Sequence, residues 1–82
     1  MATLSESDRF GIWADFMSNL PGPTALEKGE IREAVDAVDD WLDAADDTIT
    51  AALPEPAKSE LTAEQRRRLF MLVLTKRHEG QA

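Results

Sequence analysis

The sequence predicts an all-α fold: one domain over residues 1–82, made of three helices with a long acidic central helix (about 28–53) and a buried apolar C-terminal helix. Three observations predict it. Apolar residues recur at three- and four-residue steps, and no stretch alternates with a period of two. Composition favours helix formers, with two Trp, three Phe and no Tyr. Proline clusters at Pro21-Gly22-Pro23 and Pro54-Glu55-Pro56 fall between the periodic segments, where a helix must stop.

The first helix is expected over about 6–20. Ser5 or Ser7 can cap it, and Glu6 and Asp8 complement the positive end of its dipole. Phe10, Ile12, Trp13, Phe16, Met17 and Leu20 supply its apolar positions. The second helix starts near Glu27 or Lys28. Ile31, Val35, Val38, Leu42, Ala45, Ile49 and Ala52 are separated by alternating four- and three-residue steps, a heptad seam that predicts one helix running to Leu53. Ala34 and Trp41 widen that seam on one side. Pro56 can open one further turn over 57–61. Thr62-Ala63-Glu64-Gln65 has the capping-box pattern and starts the last helix, expected over about 62–78 with Gly80 as its terminator. Leu69 to Leu74 is apolar all round, which predicts burial on most sides, by an interface where the other two helices do not reach.

The charge is −7, from 16 acids and 9 bases, which argues against generic binding to a nucleic-acid backbone or an anionic membrane. No stretch approaches the roughly 20 apolar residues of a membrane helix, and the polar, acidic start of the chain does not read as a signal peptide. Without cysteine the chain has neither a disulfide nor a thiolate metal site. Catalysis fails on inventory. His78 stands alone as histidine, the four serines lie in no nucleophile motif, and the four glycines form no phosphate loop. No cofactor or metal is expected. The run from Asp36 to Asp40 lacks the glycine and loop of a calcium site.

Residues 27–47 hold nine acids and two bases. Opposite the seam, Glu33, Asp36, Asp40, Asp43 and Asp47 fall within about 80° of the helical wheel. The stripe is either a solvated face or a docking surface for a basic partner. Arg66, Arg67 and Arg68 point three ways. They pair with Asp39 and Asp46, at the edge of the seam, form interfacial salt bridges to a neighbouring subunit, or contact nucleic acid. Trp41, flanked by acids, belongs at the edge of the core and is a candidate hot spot. Phe70, beside the arginine run, completes the set of candidate partner-binding residues.

From Glu30 to His78 the pattern resembles a known group. Ile31-Arg32-Glu33-Ala34-Val35-Asp36-Ala37-Val38-Asp39-Asp40-Trp41, Ala51-Ala52-Leu53-Pro54-Glu55-Pro56-Ala57 and Leu61-Thr62-Ala63-Glu64-Gln65 are similar to segments of small helical proteins encoded among the virion structural genes of tailed bacteriophages and prophages. Ile12-Trp13-Ala14-Asp15-Phe16-Met17 fits as well. The resemblance implies a non-catalytic, multi-copy component of capsid, head–tail junction or tail. Such a component is made in the host bacterial cytoplasm and incorporated in the virion, and it binds other virion proteins and copies of itself. The alternative is an acidic inhibitor that presents the carboxylate stripe, in imitation of nucleic acid, to a DNA-processing or regulatory protein.

Overall fold

Ser5 begins the fold by accepting the backbone N–H of Asp8 at 3.1 Å, the expected cap of α1 (Glu6–Ser18). The computed structural model describes residues 4–20, 22, 24–44 and 49–81. Along these, α1 is followed by α2 (Lys28–Ala44), α3 (Ile49–Ala52), α4 (Glu55–Glu60) and α5 (Ala63–Gln81), and no strand occurs among the described residues. Asn19 closes α1, donating its backbone N–H to the Asp15 carbonyl at 3.0 Å and its side-chain amide to the Asp15 carboxylate at 2.8 Å. Gly22, at φ 106°, takes the left-handed conformation that a side chain resists.

Thr62 and Gln65 make the expected capping box: Thr62 Oγ1 accepts the Gln65 N–H at 3.1 Å, and Gln65 Oε1 accepts the Thr62 N–H at 2.9 Å. Gln65 is also fully buried, and its Nε2 donates to the Gly22 carbonyl at 3.3 Å. One side chain therefore caps α5 and ties it to the turn between α1 and α2.

α1, α2 and α5 pack against one another, while α3 and α4 both lie against α2. Asp15 of α1 faces Arg68 of α5, and Gly11 and Ile12 lie across from Thr75 and Lys76, so these two helices run antiparallel. Phe16, Ile31, Ala34, Val35, Val38, Ala57, Leu69 and Val73 are fully buried, and Leu4, Ile12, Leu26, Leu53 and Leu61 nearly so. Each larger aliphatic or aromatic member contributes about 1.5–3 kcal/mol by leaving water.

Three expectations change here. The helix expected over 28–53 is two elements. In one straight helix Ala44 and Ile49 would be stacked about 7.5 Å apart along the axis, whereas α3 packs against α2. The first half of the seam (Ile31, Val35, Val38) is core, Leu42, Ile49 and Ala52 are half-buried, and Ala45 lies outside the described residues. The last helix continues through Gly80 rather than stopping there, since nothing packs above that glycine and its backbone does not adopt positive φ. Finally, α5 is not buried on most sides. Its inner face is the single four-residue row Gln65, Leu69, Val73 and Arg77, while Met71 and Leu74 are 49% and 39% exposed. A helix at the edge of a three-helix packing buries one stripe, whatever its composition.

Candidate protein-interaction surface

The acidic stripe does not survive folding as a unit. Arg9 on α1 brings Nε to 2.6 Å from Asp36 Oδ1, and Arg77 on α5 brings Nη2 to 2.6 Å from Asp43 Oδ1. Glu33 and Asp40 remain exposed on α2, two turns apart, and Asp47 lies outside the described residues. Among the described residues no cluster of acids, histidines or cysteines is arranged to hold a metal ion.

The two arginines that divide the stripe meet at a residue placed by its sequence position at the edge of the seam. Asp39 is fully buried. Its Oδ2 accepts Arg9 Nη2 at 3.0 Å and the Leu4 backbone N–H at 3.3 Å, and its Oδ1 lies 3.3 Å from Arg77 Nε. Arg77 Nη1 also donates to the Asp39 carbonyl at 3.3 Å. A carboxylate stripped of water is tolerable only with this density of donors. Sequence reasoning missed the centre because Asp39 reads as one acid among nine and Arg77 as one of several bases near the C-terminal end of the last helix.

The pairing expected between the arginine run and Asp39 does not form, because Arg9 and Arg77 occupy that carboxylate; Asp46 lies outside the described residues. Arg66 instead turns back, donating from Nη1 to the carbonyls of Leu61 at 2.7 Å and Lys58 at 3.1 Å, where α4 ends. Arg68 reaches across to Asp15 at 3.6 Å. Arg67 is exposed, and among the described residues it makes no ion pair, hydrogen bond or ring contact, unlike the other bases. Lys28 is held by aromatic faces, its Nζ 5.0 Å from the Trp13 ring centre and 5.5 Å from that of Phe10. Trp41 is half-buried and meets half-buried Phe70 edge-on at 5.2 Å, so these two candidates form a contact within the chain.

What the fold does leave open is the seam between α1 and α5. A groove of about 540 Å³ is lined by Asn19, Glu64, Arg67, Arg68, Met71, Leu72 and Thr75. A second hollow of about 290 Å³ continues it past Leu72 and Thr75 to Gly11, Ile12, Lys76 and Glu79. The lining is mixed: Met71, Leu72 and Ile12 are its apolar members, and Asp15, Glu64, Arg67, Arg68, Lys76 and Glu79 carry charge. Compared with known proteins, the chain matches no family model, no curated protein and no solved structure.

Proposed function

We infer that the chain is a non-catalytic protein-binding subunit, a small multi-copy structural or assembly component of a tailed-phage particle. The observation that carries the protein-binding part is the exposure of large apolar side chains on a domain this small: Met71 and Leu74 on α5, and Phe10 and Met17 on α1. Met71 lines the groove, and exposed apolar groups favour association with protein. The particle itself is supported by the resemblance of residues 30–78 to virion-encoded helical proteins. Affinity purification of the tagged chain from its producing cells, with mass spectrometry of what co-purifies, is the test. Capsid, portal or tail proteins in stoichiometric amounts are expected, and their absence sinks the assignment.

The acidic-inhibitor alternative has one observation in its favour, the exposure of Glu33 and Asp40 on a common face of α2. Against it, Asp36 and Asp43 are already paired with Arg9 and Arg77 of the same chain. A nuclease, polymerase or repressor in the same purification would select it.

A further inference from the structure

Gly11 sits in the middle of α1, where glycine weakens a helix relative to alanine. A buried neighbour pressing on the backbone is the usual reason for such a residue. Here there is none: a Cβ built at Gly11 meets nothing within 4 Å. The space above it is the far end of the groove between α1 and α5. At the near end stands Arg67, which shows no ion pair, hydrogen bond or ring contact among the described residues, beside Met71, 49% exposed.

We propose that this groove receives one amphipathic α-helix of a partner protein, lying along α1 and α5, with a carboxylate opposite Arg67 and a close backbone crossing at Gly11. The groove is elongated, spanning α5 from Glu64 to Glu79, about 22 Å at the helical rise. That length accepts four turns of helix, and the addition converts a three-helix packing into a four-helix one. Met71, half-buried Leu72 and Thr75 supply a surface for apolar residues spaced three and four apart. Arg67 supplies the charge that fixes register, since a guanidinium brought out of water is matched by a carboxylate. A single acid in an otherwise uncharged apolar face satisfies Arg67 without adding much to repulsion from the chain's net charge of −7. The inference deepens the protein-binding reading and rests on it.

The test uses the full chain in its producing cells with a photo-crosslinking benzoylphenylalanine at position 71, and in a second variant at position 33 on the outer face of α2. The expected adduct from position 71 maps to one segment of one partner, with apolar residues at three- and four-residue steps and an Asp or Glu within a turn of the cross-link. Arg67→Glu lowers its yield at least tenfold, and reversing that partner acid to Lys restores it. Gly11→Leu, which projects into open space and leaves the chain's own packing intact, abolishes the adduct while the circular dichroism melt is unchanged or raised. No adduct from position 71, an adduct to a second copy of this chain, a segment without an acid, or a yield indifferent to Arg67→Glu or Gly11→Leu each overturns the proposal. An adduct from position 33 alone, or co-purification of virion proteins without one from position 71, overturns the groove as the site and leaves the assembly reading standing.

Discussion

Arg77 holds Asp39 at 3.3 Å inside the molecule while reaching Asp43 at 2.6 Å with another nitrogen of the same guanidinium. Arg9 approaches Asp39 from the opposite helix at 3.0 Å and Asp36 at 2.6 Å. Two arginines and three carboxylates thus clamp α1, α2 and α5 together, and four of the five side chains keep at least part of their surface accessible; Asp39 does not.

Removing the charge of Asp39 alone leaves Arg77 buried with less than its full complement of acceptors. Asp39→Asn is expected to cost about 3–5 kcal/mol, the range for breaking one side of a buried pair. For a domain of this size that is a large part of the total stability. A urea titration followed by circular dichroism checks it, and a loss below about 1 kcal/mol would show that the centre contributes little.

Gln65→Ala removes one capping hydrogen bond, from the Thr62 N–H to Gln65 Oε1, and the tie to the Gly22 carbonyl, while the Gln65 N–H still donates to Thr62 Oγ1. The expected loss is about 2–3 kcal/mol, from about 1 for the cap and about 1 or more for the buried bond and vacated space. Gln65→Glu keeps the acceptor for the Thr62 N–H but loses the donor to Gly22. A comparison of the two melts separates the local cap from the tertiary tie.

Gly11→Ala adds a methyl to a helix interior where nothing stands within 4 Å. It should stabilise the chain by about 0.5–1 kcal/mol. That corresponds to a rise in Tm of roughly 4–8 °C per kcal/mol in a domain this small. A fall in Tm would mean that the groove is closed in solution.

The acids of α2 divide into two kinds, and lysine substitution reads the division. Glu33→Lys with Asp40→Lys should change stability by no more than about 0.5 kcal/mol, as surface changes do. Asp43→Lys instead sets a second cation against Arg77 and should lower the unfolding free energy from a urea titration by about 2 kcal/mol or more. The Glu33, Asp40 pair is therefore the cleaner probe of any function of the acidic face. An inhibitor that imitates nucleic acid loses binding in this variant, whereas docking through the α1–α5 groove is unaffected.

The sequence by itself determined the helical class, a serine cap at the start of α1 (Ser5 or Ser7), the Thr62–Gln65 cap, the turn at Gly22, a short helical turn at Pro56 (expected over 57–61, found as Glu55–Glu60) and the core half of the α2 seam. These follow from spacing and from side chains that bond within a few residues of themselves, so one dimension is enough to see them. Tertiary structure alone decided which of nine acids went inside, which bases stayed uncommitted, and that α3 turns back on α2 instead of extending it. It also decided that Met71 and Leu74 face outward from a helix whose composition suggests burial all round. Those outcomes depend on partners 30 or more residues away, such as Arg9 with Asp39 and Asp39 with Arg77. They depend also on how much area a three-helix packing has to cover the third helix. No local pattern encodes either quantity, because both come into being only when the helices meet.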